Sequence, residues 1–265
     1  MDLLCPLCGL PLELNERTWR CASGHSYDVA KQGYVNLLPV KQKRSLHPGD
    51  TNDQLHARRR FLSAGFYAPI AAAVCELLAG ADTLLDVGCG EGWYLRQFGA
   101  AHPEAERWGL DISRDAVRLA AGADKSGRYL VASAARLPFP EGSFDALSSL
   151  FALTVPEEFA RVLAPGGRFL QVLAEPDHLE GLKSLIYPEL LHHPKDMTPT
   201  LPGFAPVEQR ELRFEIMLTE QSQIRDLLSM TPHFWRITRE GARRAAEAQT
   251  LRDRAHVRLN LYRLT

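Results

Sequence analysis

Three cysteines and one histidine in the first 25 residues constrain this chain more than any other feature: Cys5-x2-Cys8-x12-Cys21-x3-His25. Two knuckles that each supply two ligands can close a tetrahedron around one zinc ion. Pro6 and Gly9 beside the first pair, and Gly24 before His25, supply the turns a knuckle needs. A segment this short cannot bury enough apolar surface to stay folded alone, and metal ligation is the usual remedy. Four protein ligands leave no open coordination position, so the site is expected to be structural. Residues 1–36 therefore read as one zinc-bound module.

A second signal stands about sixty residues on, in Asp86-Val-Gly88-Cys-Gly90-Glu91-Gly92. It follows a short β-rich run at 84–87, and its glycines let the backbone turn sharply against a ligand. A dinucleotide loop would read G-x-G-x-x-G and seat a pyrophosphate at a helix N-terminus. Here the third glycine comes one residue early and Glu91 occupies the loop. A carboxylate suits a cation better than a pyrophosphate. S-adenosylmethionine carries a sulfonium, an ammonium and no phosphate. Asp111, at the end of the next expected strand, is placed to accept from both ribose hydroxyls. Ser133 and Ala134, after the third strand, are small enough to lie against adenine.

The rest of the chain alternates strands and helices. Strands are expected at 84–87, 107–110, 129–132, 146–150, 168–173, 210–218 and 256–264. Helices are expected from 53, then at 70–78, 93–98, 114–121, 156–163, 221–230 and 240–249. Such alternation makes parallel βαβ units with helices on both faces of a sheet. Residues 37–68 read as a basic linker and helix, and 69–265 as the cofactor-binding domain. The Pro- and His-rich stretch 177–206 reads as an excursion over the active face.

Formal net charge is −1, so no global field announces a polyanionic partner. Two stretches are nonetheless locally basic. Residues 31–60 hold seven Lys/Arg, including Lys41, Lys43, Arg44 and Arg58, against two acids; 236–265 hold eight arginines against three. Either could face phosphates. No signal peptide opens the chain, and no apolar run is long enough for a membrane span. Five cysteines, three of them in the metal-like cluster, suit a reducing cytoplasm better than a disulfide framework.

Together these features resemble the class I S-adenosylmethionine-dependent methyltransferases. Cys5-Pro-Leu-Cys8, Lys31-Gln-Gly-Tyr-Val-Asn-Leu-Leu-Pro39, Lys43-Arg44, Pro48-Gly-Asp50, Ala57-Arg58-Arg59 and Phe61-Leu62 are more specific. With 86–94, Arg136-Leu-Pro-Phe139, Leu163-Ala-Pro-Gly-Gly167, Leu185-Ile-Tyr187 and Met230-Thr-Pro232, they resemble the 23S ribosomal RNA (guanine-N1)-methyltransferases. That family includes enzymes conferring macrolide antibiotic resistance. The resemblance spans residues 5–236. It implies an α/β, Rossmann-like seven-stranded sheet whose last strand is antiparallel, with an N-terminal zinc ribbon. It also implies zinc at the Cys/His quartet, cofactor contacts at Tyr67, Gly90, Glu91 and His178, and a 23S hairpin loop as partner. A homodimer is compatible with it. One segment departs: Phe151-Ala-Leu-Thr154 stands where family members carry Tyr-Ala-Pro, beside the methyl-accepting atom.

Guanine N1 carries a weakly acidic proton, so a base near it would help transfer. Glu175, Asp177 and His178, after the fifth expected strand, are the candidates by position, with His178 also a cofactor contact by the resemblance. Tyr67, Phe151, Phe234 and Trp235 are candidates for stacking a splayed base. The competing expectations are a small-molecule methyltransferase with 177–206 as a lid, and a non-catalytic RNA-binding protein that keeps the cofactor fold.

Overall fold

A four-stranded antiparallel meander forms the N-terminal module: β1 (Leu3–Leu4), β2 (Pro11–Asn15), β3 (Thr18–Cys21) and β4 (Ser26–Asp28). The structure, a computed structural model, describes residues 2–39, 50–190 and 195–265. Lys41, Lys43 and Arg44 of the basic run, with Pro48 and Gly49, lie outside the described residues. So do His192, His193 and Pro194 of the excursion.

All seven expected strands form: β6 (Thr83–Val87), β7 (Glu106–Asp111), β8 (Arg128–Val131), β9 (Phe144–Leu150), β10 (Leu163–Ala174), β11 (Phe204–Leu218) and β12 (Leu251–Leu264). An eighth, β5 (Val35–Asn36), adds itself parallel to β8 at one edge, giving the order β11-β12-β10-β9-β6-β7-β8-β5. The last strand, β12, is antiparallel to both neighbours, and the pairs from β10 through β5 are parallel. The strand order reverses between β6 and β9. In such sheets ligands bind outside the carboxyl ends of the strands at that reversal.

The helices are α1 (Asn52–Ser63), α2 (Ala68–Leu77), α3 (Trp93–Ala101), α4 (Arg114–Ala123), α5 (Pro156–Val162), α6 (Glu180–Ile186), α7 (Gln221–Ser229) and α8 (Arg239–Glu247). Thr51 starts α1 through a reciprocal capping box with Gln54, which satisfies two otherwise orphaned donors. The excursion contains α6, and its last three residues belong to β11. Its Pro/His composition conceals the apolar pair Leu182 and Ile186, which α6 buries.

Two apolar layers sandwich the sheet. One joins α1, α2, α3, α4, α7 and the inner residues of β12. The other includes Trp108, Phe139, Phe144 and Phe169, and it also takes in Leu3, Leu12, Val35 and Leu37. Burying such a side chain is worth roughly 1.5–3 kcal/mol. The zinc module is therefore packed onto the sheet, not merely tethered to it. Leu4 donates its N–H to the Pro138 carbonyl at 2.9 Å, and Leu37 to that of Val131 at 2.8 Å.

Candidate active site

Cys5, Cys8, Cys21 and His25 converge so that their ligand atoms all lie within 4.8 Å of one another. His25 Nδ1 stands 3.5 Å from Cys5 Sγ and 3.4 Å from Cys21 Sγ, and Cys8 Sγ is 3.7 Å from Cys21 Sγ. Tetrahedral zinc with ordinary bond lengths requires edges of about 3.5–3.8 Å, so the quartet fits that ion. Tyr27 Oη lies 3.3 Å from Cys5 Sγ. Burial pushes the Cys5 thiol up, but hydrogen bonds from Tyr27 and nearby backbone outweigh it and bring the thiol down to about 6. A thiolate is the form that binds metal.

The glycine loop opens a cavity of about 330 Å³ at the carboxyl ends of β6 and β7. Gly88, Gly90, Asp111, Ser133 and Ala134 all line it. Asp111 Oδ2 accepts from the Gly90 N–H at 2.9 Å, and Oδ1 from the Ser113 N–H at 2.8 Å. Each oxygen keeps a lone pair for a ribose hydroxyl. Gly88 is needed for contact across the site, because a Cβ there would stand 2.5 Å from the Ala152 Cβ. Gly92 serves packing instead: its Cβ would meet Ala120 at 2.9 Å and the Tyr129 hydroxyl at 3.1 Å.

Asp86 and Glu91 stand in the layer behind. Asp86 accepts from the Ser148 hydroxyl at 2.8 Å, and burial pushes its carboxyl up to about 7. Glu91 is buried and its carboxylate is held by Arg96 at 3.1 Å. The structure thus brings Asp111 to the cavity wall and keeps the Glu91 carboxylate engaged behind it.

A second cavity, of about 470 Å³, adjoins the first, and the two share Arg58, Phe151 and Ala152 as lining. Tyr67, Glu175, His178, Lys183 and His233 also line it. His178 Nδ1 accepts the His256 backbone N–H at 3.0 Å, and burial holds the ring neutral, its value down to about 4. The remaining proton then sits on Nε2, which faces Tyr67 Oη at 3.1 Å. Nε2 donates to that oxygen, which leaves the tyrosine O–H free to donate to a ligand. Phe151 has φ +55°, a left-handed conformation that costs a side-chain-bearing residue free energy. That turn places its ring 6.4 Å from Tyr67 and 6.2 Å from His178, centroid to centroid.

With both ring nitrogens of His178 engaged, the two candidate carboxylates part company. Glu175 is buried at the cavity, its Oε1 accepting from Arg258 Nε at 2.8 Å. Asp177 is spent elsewhere: it accepts from Arg254 at 3.0 Å and pairs with His256, which also contacts Glu211 at 2.7 Å. Part of the C-terminal basic stretch is paired similarly, with Arg243 on Glu240 and Glu247, Arg252 on Glu215, and Arg258 on Glu175 and Glu211. With Arg254 on Asp177, these arginines offer phosphates less than their charge suggests. Phe234 and the largely exposed Trp235 form an edge-to-face pair, 5.2 Å between centroids, next to the cavity residue His233. Sequence reasoning passed over Lys183 and His233, and met Arg58 and Arg258 only in basic runs and, for Arg58, in the Ala57-Arg58-Arg59 motif. No local motif marks them.

Comparison with known proteins adds to this geometry. Residues 3–46 match the zinc-ribbon family described as "RlmA, N-terminal", and residues 85–171 match a methyltransferase-domain family. A "putative 23S rRNA (guanine-N(1)-)-methyltransferase" of Micromonospora griseorubida is 34% identical over 98% of this chain and 97% of its own. The "23S rRNA (guanine(748)-N(1))-methyltransferase" of Streptomyces fradiae is 36% identical, over 92% of this chain and 90% of its own. This chain belongs to the 23S rRNA (guanine-N1)-methyltransferase family. YxjB of Bacillus subtilis, bearing the same putative name, is 31% identical over 87% of this chain and 86% of its own. Among solved structures, a putative type II methyltransferase from Anaeromyxobacter dehalogenans covers 74% of this chain and 95% of its own, with TM-score 0.49 and 19% identity. As a family member, the protein is a methyltransferase that takes S-adenosylmethionine and zinc. One further observation fits a ligand at the seam: Arg58 lines both cavities, and its Nε is buried without a hydrogen-bond partner among the described residues.

Proposed function

We propose that this protein transfers a methyl group from S-adenosylmethionine to N1 of a guanine in a 23S ribosomal RNA hairpin loop, in the cytoplasm. The observation that carries the reading is the pair of cavities meeting at Arg58, Phe151 and Ala152. One has a ribose-binding carboxylate and small walls; the other is roomier and lined by aromatic and charged groups.

Bound in the first cavity, S-adenosylmethionine supplies an electrophilic methyl. Asp111 accepts from the ribose hydroxyls, Gly90 lets the backbone approach, and Ser133 and Ala134 lie against adenine. Tyr67, oriented by neutral His178, donates its O–H toward the seam between the cavities. Glu91, locked by Arg96, supports the loop as a neighbouring negative charge. Phe151 at the seam, with Phe234 and Trp235 beside the outer cavity, provides faces on which an unstacked base can rest. Holding acceptor and methyl in line supplies most of the acceleration expected for such a displacement. The zinc module and Lys31, with the basic run through 41–60, grip backbone phosphates and fix register without reading sequence.

Labelled S-adenosylmethionine incubated with the protein and unmodified 23S RNA tests the reading. Label in the RNA is the expected result, with binding that weakens steeply as salt rises. Label found only in a small metabolite would replace this function with the small-molecule alternative.

A further inference from the structure

Guanine presents an acceptor, O6, beside two donors, N1–H and the 2-amino group. A site that reads this edge needs a carboxylate opposite the donors and a cation opposite O6. The lining of the outer cavity includes the carboxylate of Glu175 and, alongside Arg58 and Lys195, the cation Lys183. Glu175 sits at the carboxyl end of β10, 7% exposed, and its Oε1 is fixed by Arg258 at 2.8 Å. Oε2 has no hydrogen bond among the described residues. Glu211, from β11, contacts the far side of Arg258 at 3.2 Å, so the arginine is itself clamped. Lys183, from α6, lines the same cavity and donates one N–H to the Pro176 carbonyl at 2.8 Å. Two ammonium protons remain. Burial holds the Lys183 ammonium below the ordinary lysine value, against the opposing charges of Asp177, Glu180 and Asp253, and His178 and His233 are its other titratable neighbours.

Resting on the guanine acceptor argued above, we propose that Glu175 and Lys183 form a guanine-edge reader that also moves the N1 proton. Glu175 Oε2 accepts N1–H, and the same carboxylate edge reaches the 2-amino group. Lys183 donates to O6. As the N1–CH3 bond forms, the methyl–sulfur bond breaks and its electron pair stays on sulfur. The N1–H pair remains on N1, and the proton passes to Glu175 and then to water. Charge that builds on O6 as N1–H weakens is met by the Lys183 ammonium, as a fixed cation meets an oxyanion. The pair also sets specificity. Adenine would turn its N1 lone pair toward the carboxylate, a repulsion that a buried site enforces strongly. Arg258 is a positioning residue in this arrangement.

The test is a kinetic comparison of the full-length zinc-bound protein with Glu175→Gln and Lys183→Met on 23S RNA, alongside direct S-adenosylmethionine titration. Glu175→Gln should lower kcat about 10²–10⁴-fold, the range of a lost general base. Its residual rate should climb about tenfold per pH unit between roughly pH 7 and 9, because N1 must then ionise without help. Lys183→Met should cost about 100-fold in kcat. Cofactor affinity should stay within about threefold for both, since neither residue lines the cofactor cavity. Either variant retaining kcat within about threefold of wild type would overturn the assignment of that residue. A steep loss in Glu175→Gln without the rising pH profile would reduce it to a structural part. Wild-type protein that leaves guanine N1 unmethylated would overturn the functional reading as well.

Discussion

The two cavities that meet at Phe151 are made by opposite means. The cofactor cavity is built mainly from residues at the ends of neighbouring strands, and its working parts are backbone N–H groups, small side chains and one carboxylate. The outer cavity collects Tyr67, Phe151, Glu175, Lys183 and His233 from five separate segments. Its charges are held by ion pairs that reach across strands, such as Glu175 to Arg258. A backbone cradle comes with the strand–loop–helix that forms it. A side-chain constellation exists only after the whole sheet has closed.

That contrast can be broken experimentally, beginning with the part that serves the outer cavity most remotely. Cys21→Ala removes one of four zinc ligands, and structural zinc in small modules contributes on the order of 10 kcal/mol. The variant should lose its zinc by metal analysis and most of its RNA binding, while calorimetry still detects S-adenosylmethionine. RNA binding that survives zinc loss would remove the module from recognition. Cofactor binding that vanishes with the metal would mean that the packed interface through Leu3, Leu12 and Val35 governs both cavities.

Asp111→Ala should act in the reverse sense. It removes the proposed ribose acceptors and strands the Gly90 N–H, and hydrogen bonds to charged groups contribute about 1.5–3 kcal/mol each. Cofactor affinity should fall about 100-fold, with RNA affinity nearly unchanged. Equal losses in both would show that the cavities do not act separately.

A smaller effect sharpens the seam between them. The folded protein keeps His178 neutral down to about pH 4, whereas its ordinary value is 6.5. Across that window the unfolded chain binds the extra proton, so stability falls as pH drops from 6.5 toward 4. It is fully present above that range. The full shift corresponds to about 3 kcal/mol. Denaturant midpoints should therefore decline over this window in wild type, and decline less in His178→Gln. Identical slopes would contradict a buried neutral ring.

Legibility in the sequence followed the same division. The Cys/His quartet, Gly88, Gly90, Asp111, Ser133 and Ala134 could be placed because fixed spacing or strand ends bring them together. All seven strands were read from β-rich runs between turns. The extra strand Val35–Asn36 was not, since two residues carry no periodicity. Helix α6 was hidden by its Pro- and His-rich surroundings. Separating Glu175 from Asp177 needed tertiary contacts: both follow β10, but Glu175 lines the outer cavity beside Arg258 while Asp177 pairs with Arg254 and His256. The pairing of Arg252 and Arg258 was illegible for the same reason, because Glu175, Glu211 and Glu215 reach them from distant segments.

The most direct measurement is nucleoside analysis of 23S RNA after reaction with wild-type protein and S-adenosylmethionine, paired with reverse transcription to locate the modified base. Stoichiometric 1-methylguanosine at a single hairpin-loop position, blocking the transcriptase there, is the predicted result. Methyl on another atom of guanine, on another base, or on no RNA at all would contradict the account.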